Sequence, residues 1–334
     1  MPNPTQSDLH VNAPLTNVSV AYIPKRSDYI ATQVFPVVPV MKQSDLYHKY
    51  TKSDWRRTDA QKRAPGTRAV RSYYKTTSDT YYAQVYSVAK PIDDQTRANA
   101  DSNFKLEKEA TEFVTNQLLL KRELDFVTTF LSSGSGWAKT YTGVASGPST
   151  NQFLQWNDSG SDPLTDIATW KLNFRELNGF DANTLVLGPR VRKALKNHPD
   201  IIDRIKFTQR GVLTDDLLAA LLDVDRVFTM YATQATGPQI NDPEDQDAAA
   251  TYAFIADAAG KTCWFGYVAP APSLMQPTAG YTFTWKGYAG NDQGMRIKRY
   301  REEDIESDTI EGGMAYAMKQ VATDMGVYVA SAVA

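Results

Sequence analysis

Leu106, Ala110, Phe113, Gln117, Leu120, Leu124, Val127 and Leu131 recur at alternating spacings of four and three. All but Gln117 are apolar, so they line one face of a helix over about Ser102 to Leu131. Asp101 stands at the N-cap position, and the SSGSG after Leu131 ends the run. Such a helix is a rod about 45 Å long, well beyond the usual globular helix, and it implies an elongated body.

Upstream, Pro2, Pro4, Pro14, Pro24, Pro36 and Pro39 are spaced so that no helix can persist, and residues 1–45 read as an extended arm. Within it YIATQVFPVVPV (Tyr29 to Val40) is too apolar to stay solvated. It should lie against another surface, a neighbouring molecule's among the candidates. From Tyr47 to Val88 two strand regions flank TDAQKRAPGTRAV, whose Pro65 and Gly66 supply turn chemistry, and the returning limb is dense in tyrosine and β-branched residues. A two-stranded ribbon of this kind has no core of its own and needs support from elsewhere.

Past the long helix, Asp162 and Pro163 read as an N-cap followed by proline at the first helical position, and that helix should stop near Gly179. A strand at Thr184 to Gly188, a helix from Pro189 to Asn197 and a helix from Thr214 to Leu222 follow. VDRVFTMYA, TYAFIADAAGKTCWFGYVA and TFTWKG read as strands, the middle one turning at Ala259-Gly260. Helices alternating with strands indicate an α/β lobe. From Met295 the pattern is strand-like again, breaking at Gly312-Gly313 and near Asp324-Met325-Gly326, and GVYVASAVA closes the chain as a buried strand.

Composition changes this picture little. At 334 residues the chain should hold about two packed bodies, and no apolar run approaches the roughly 18 to 20 residues of a membrane span. The first residues, MPNPTQSDLHVNAPL, carry no basic or apolar signal region, which fits a protein made in a cytoplasm. Cys263 is the single cysteine, so neither an intrachain disulfide nor a cysteine-rich metal site is expected, and it reads as a small half-buried hydrophobe. Charge matters more. Tyr47 to Thr77 carries Lys49, Lys52, Arg56, Arg57, Lys62, Arg63, Arg68, Arg71 and Lys75 against only Asp54 and Asp59. The stretch Glu302 to Glu311 is acidic through Glu302, Glu303, Asp304, Glu306, Asp308 and Glu311. Opposite poles on one chain suit self-association.

The search for chemistry yields no catalytic set. AAGKT at Ala258 to Thr262 lacks the first glycine of a phosphate loop, Ile255 standing there. His10, His48 and His198 show no ligand spacing, and His198, ahead of Pro199 at a helix end, suits an interaction with the last carbonyls. Ser133, Ser135 and Ser146 form no nucleophile turn. Asp215-Asp216 reads as first-turn charge. No enzyme activity, cofactor or metal is expected. The basic ribbon, with Trp55, Tyr73 and Tyr74 among its cations, suits either nucleic acid or a protein interface, and a DNA-binding protein remains the alternative from another class.

Apolar arm, basic ribbon, long helix, α/β lobe and closing strands, in that order, resemble the major capsid proteins of tailed bacteriophages, the Hong Kong 97 fold family. TLVLGPRVRKALKNHPDIIDRI at Thr184 to Ile205 and the segment from Met295 to the end resemble the family's corresponding strings. The resemblance implies an α+β fold with an N-terminal arm (1–45), an extended β-hairpin loop (46–90), a peripheral domain (91–138) whose spine helix is the long rod, an axial α/β domain (139–291) and a peripheral completion (292–334). It implies self-assembly into hexamers and pentamers of an icosahedral shell in the virion, built in the host cytoplasm around double-stranded DNA held non-specifically on the inner face. A portal is an implied partner and, since no long charged helical segment precedes the arm, so is a separate scaffolding protein, the alternative being a piece already removed; a decoration protein is left open. An encapsulin-like shell is the near alternative. On this reading Arg56, Arg57, Lys62, Arg63, Arg68 and Arg71 of one subunit meet acidic surface on its neighbour, around Glu302, Glu303, Asp304 and Glu306.

Overall fold

The structure, a computed structural model, describes residues 25–100, 105–205, 214–237, 250–255, 260–273 and 275–334. Asp101, the first residues of the expected long helix, His10 and the Ala258-Ala259 part of the expected turn lie outside them. The N-terminal half contains α1 (Ala31–Val34), β1 (Val37–Val40), β2 (Ser44–Tyr50), α2 (Lys52–Arg56), β3 (Thr76–Tyr82), β4 (Gln84–Asp93), α3 (Asp94–Asn99) and the long α4 (Leu106–Phe130). Then come β5 (Lys139–Val144), β6 (Gln152–Leu154), α5 (Pro163–Asn178), β7 (Thr184–Leu187), α6 (Pro189–Asn197), α7 (Pro199–Ile205), α8 (Asp215–Leu222), β8 (Arg226–Thr229), β9 (Thr233–Thr236) and β10 (Thr251–Phe254). The chain closes through β11 (Cys263–Gly266), β12 (Gly280–Trp285), α9 (Lys286–Ala289), β13 (Met295–Glu302), β14 (Ser307–Gln320) and β15 (Gly326–Ala330).

Two larger sheets organise these elements. One runs β1-β12-β14-β13 with β4 also on β14, and the other runs β6-β5-β15-β11-β7-β8. Residues 292–334 therefore divide between them: β13 and β14 enter the first sheet, while β15 lies between β5 and β11 at the centre of the second. Residues 251–266 also split. β10 pairs with β9, and β11 pairs with β7 and β15, so the expected hairpin at Ala259-Gly260 does not form. Cys263 on β11 is fully buried, and burial pushes its thiol pKa up.

The caps follow the sequence closely. The Asp162 carboxylate accepts the Thr165 N–H ahead of Pro163, Gly179 closes α5 at φ 76°, and the Thr214 hydroxyl accepts the Leu217 N–H. His198 departs from expectation. It does not bond the end of α6 through its ring; Nδ1 accepts the Asp200 N–H at the start of α7, and Nε2 lies 3.1 Å from Ser161 Oγ. An acceptor at Nδ1 places the proton on Nε2, so the ring donates to Ser161, which in turn donates to the Asp158 carbonyl. This relay ties two loops together, and its protonation is the reverse of what a general base for the serine would need.

The long helix is confirmed, and the expected stripe is buried in part, at Ala110, Val127 and Leu131, with Leu120 and Leu124 half-buried against the core. Phe113 is 47% exposed and Gln117 is exposed, while Val114, Leu118, Arg122, Phe126 and Phe130, outside that stripe, are buried. Steps of four residues overshoot one turn by about 40°, so this strip winds around the helix. Its first half meets Met314 and Tyr316 of β14 and its second half meets the main aromatic core. Nor does the chain break at Gly312-Gly313: β14 runs straight through them. A Cβ on Gly312 would sit 2.4 Å from Val114 Cγ1 of α4, and one on Gly313 2.4 Å from the Tyr288 hydroxyl, so the glycines let a helix and a ring close onto both faces of one strand.

The apolar arm finds its surface within its own chain. Tyr29, Ile30, Ala31, Val34 and Phe35 are all buried in the main core, and β1 pairs in parallel with β12, Val37 opposite Thr282. The Phe35 ring lies 4.3 Å from Phe130, 5.9 Å from Phe126 and 5.5 Å from Trp264, joining α4 to the second sheet. Above it Glu123, 1% exposed, accepts the N–H groups of Ile30 and Ala31 at 3.2 and 2.9 Å. Desolvation pushes the Glu123 carboxyl up to about 7 against those two bonds and Arg122. The buried Arg122 guanidinium lies over Tyr316, 5.6 Å from its ring centre. Of the candidate surfaces for Tyr29 to Val40, the chain's own core is thus the one used.

Candidate assembly interface

The basic segment forms a loop anchored at its base and open at its tip. β2 and β3 pair antiparallel from Ser44–Tyr82 to Tyr50–Thr76. Tyr81 and Tyr47 lay the root of the hairpin on Phe283, with the Tyr81 ring stacked 4.6 Å away. Lys49 donates to Asp79 at 2.7 Å across the strands, which holds that carboxyl down to about 2. Beyond Tyr50 the expected long ribbon does not continue. α2 makes one turn, and residues 57–75 run irregularly and almost entirely exposed, because Pro65, Gly66 and the charge density give them nothing to bury.

The one-turn α2 sets Lys52 and Arg56 on a common face, four residues apart, and both grip the end of α5. Lys52 Nζ donates to Asp324 and, at 3.1 Å, to Asn178 Oδ1. The buried Asn178 passes its own amide hydrogen to the Asp324 carbonyl at 2.7 Å. Arg56 donates to the carbonyls of Glu176, at 2.9 Å, and Leu177, two acceptors that the helix itself leaves open. Cations at a helix C-terminus also meet the negative end of its dipole. Changing both Lys52 and Arg56 to alanine is expected to raise amide-exchange rates across residues 44–82 of the unassembled subunit by about tenfold or more, with β7 and β11 unaffected. Unchanged exchange would mean that the grip does not hold the loop.

The remaining predicted cations behave differently. Arg57 reaches only its neighbour Asp59, and Arg63 donates to the Thr67 carbonyl within the loop. Lys62, Arg68 and Arg71 form no ion pair or hydrogen bond among the described residues. The acidic set lies at the turn between β13 and β14, where Glu302 pairs with Ser307. Asp308 is taken by Arg97 and Arg299 at 2.6 and 3.0 Å, and Glu303 lies 3.6 Å from Arg301, which is itself bidentate on Asp94. Glu302, Asp304 and Glu306 make no ion pair among the described residues. Among the described residues no ion pair joins the basic loop to the acidic turn. Lys52, Asn178 and Asp324 were not singled out from sequence, since their contact spans 272 residues and has no local signature.

No protein-family model matches the sequence. It is 27% identical over 284 residues to the major capsid protein of Burkholderia phage BcepMu, covering 83% of this chain and 84% of that one. Among solved structures, a phage-related protein from Bordetella bronchiseptica RB50 superposes with a TM-score of 0.65 at 21% identity, over 92% of this chain and 94% of the other. The capsid protein of cyanophage P-SCSP1u superposes with a TM-score of 0.59 at 11% identity, over 94% and 90%. The chain thus shares the Hong Kong 97-type fold of phage capsid proteins and is similar in sequence to a phage major capsid protein. The similarity spans both sheets and the long helix, since it covers more than nine-tenths of the chain in either superposition.

Proposed function

We propose that this chain is the major capsid protein of a tailed phage, that it assembles into hexamers and pentamers of an icosahedral shell, and that its place is the virion capsid. The observation that carries the reading is the exposed loop at residues 57–75, which buries no core and whose Lys62, Arg68 and Arg71 have no partner among the described residues. Such a segment gains stability only against another molecule. In this reading Arg57, Lys62, Arg68 and Arg71 meet the Glu302, Asp304 and Glu306 turn of a neighbouring copy, while Arg56 keeps the base of the loop on its own subunit. Exposed pairs contribute about 0 to 1 kcal/mol each, so they set register and gain weight by repetition around the shell. The protein's role is structural, not catalytic.

Double-stranded DNA packed without sequence preference, a portal, a separate scaffolding protein and a decoration protein are the partners that belong with this reading. An encapsulin-like cargo shell would use the same fold. The phage reading is favoured because the sequence relative matched over 284 residues is a phage major capsid protein. Velocity sedimentation of the purified chain across a range of concentrations is the test. Capsomer-sized and larger species are expected as concentration rises, whereas a monomer at every concentration, with and without lysate from the natural source, counts against the proposal.

A further inference from the structure

Among the exposed apolar side chains, two groups lie at the opposite charge poles of the chain. On the loop, Tyr50, Trp55 and Tyr74 form a three-ring cluster with centroids 5.5 to 6.2 Å apart, although the rings are 37%, 54% and 60% exposed. The end of the β2–β3 ladder and the α2 turn hold this cluster in place: Thr51 donates to the Lys75 carbonyl, and Asp54 accepts the Lys75 N–H at 2.9 Å, which brings the Tyr74 limb beside Trp55. The cluster is flanked in sequence by Arg56, Arg57, Arg71 and Lys75.

At the other pole, the turn Glu303 to Glu306 displays Ile305, 51% exposed, between Asp304 and Glu306. Turn tips favour glycine, asparagine and aspartate, and a β-branched residue gains nothing there from its own chain. Glu306 adopts φ 44°, the left-handed region, without being glycine. An isoleucine ringed by acids therefore stands opposite in character to an aromatic cluster ringed by cations. Each supplies what the other lacks: an apolar centre to bury, and a rim of the opposite charge to exclude water and set orientation.

We propose that Ile305 of one copy docks into the Tyr50, Trp55 and Tyr74 cluster of a neighbouring copy, a pairing that rests on the shell-forming reading. The apolar contact fixes where the loop ends, and the charged rims on both sides fix how it is turned.

A cysteine pair tests this directly, because the native Cys263 is 2% exposed and does not compete. With Tyr74→Cys and Ile305→Cys in one chain, mild oxidation of assembled particles is expected to give a ladder of covalent multimers on a non-reducing gel, and neither single variant should. In parallel, Ile305→Asp should cut particle yield about tenfold or more while leaving the subunit's thermal unfolding unchanged, since the residue contributes little to its own fold. Particles of the double variant that give no ladder, or Ile305→Asp assembling as well as the parent chain, would overturn the docking. Failure of the parent chain itself to form particles would instead strike the shell reading.

Discussion

Replacing Phe35 by alanine is expected to lower the unfolding free energy of the subunit by about 3 to 5 kcal/mol, the range for truncating a fully buried aromatic ring. Phe35 is 2% exposed and touches rings from α4 and β11, so the cavity would open where the two sheets meet the helix and could not collapse without moving all three. Denaturant unfolding of the unassembled subunit measures this, and a loss under 1 kcal/mol would show that the arm is not part of the core. Glu123 supplies the polar half of the same anchor. Its carboxyl titrates near 7 in the folded chain and lower once solvated, so the folded state holds the extra proton in the interval between. The contribution of this group is then greatest in acid, is lost as pH rises through about 7, and is level above that. Glu123→Gln, which cannot ionise, should gain on the parent chain over that interval, and a pH-independent difference would contradict the buried carboxyl. Glu123→Ala removes the acceptor of two buried N–H groups and should cost about 1 to 3 kcal/mol for each.

Reversing Arg57, Lys62, Arg68 and Arg71 to glutamate together is expected to abolish particle formation while leaving the fold intact. None of the four contacts the body of its own subunit: Arg57 pairs with Asp59 inside the loop, and the others are unpaired among the described residues. In the proposed shell each change replaces attraction by repulsion toward Glu302, Asp304 and Glu306, and the effect repeats at every copy. Arg56 is left out because its role is in cis at the end of α5. A companion chain with Glu302, Asp304 and Glu306 changed to lysine should restore assembly when combined with the reversed loop. Particle yield by sedimentation and secondary structure by circular dichroism are the two readouts. Normal particles from the reversed loop alone would remove the electrostatic part of the account.

Local signals in the sequence were legible where physics is local. The caps at Asp162 and Thr214, the left-handed stop at Gly179 and the existence of the long helix all follow from residues within a turn or two of the feature. The helix face was read only in part, at Ala110, Val127 and Leu131, because two sets of apolar positions compete along it. The winning set places Arg122 and Glu123 inside, a choice made by Ile30, Ala31 and Tyr316, which arrive from distant parts of the chain. A charged pair set between Leu118 and Phe126 was the available clue. Gly312-Gly313 read as a break because glycine weakens strands, yet here it makes room for Val114 and Tyr288. The charge poles were visible in the sequence as composition. Their division into Lys52 and Arg56 in cis and the free tip beyond was not, since it depends on the end of α5 and on Asp324.

At the centre of this account is a loop that its own subunit does not finish. Negative-stain electron microscopy of the purified, expressed chain, alone and after addition of lysate from its natural source, tests that most directly. Closed shells or six- and five-membered rings are the expected images; a field of single, separate subunits under every condition would contradict it.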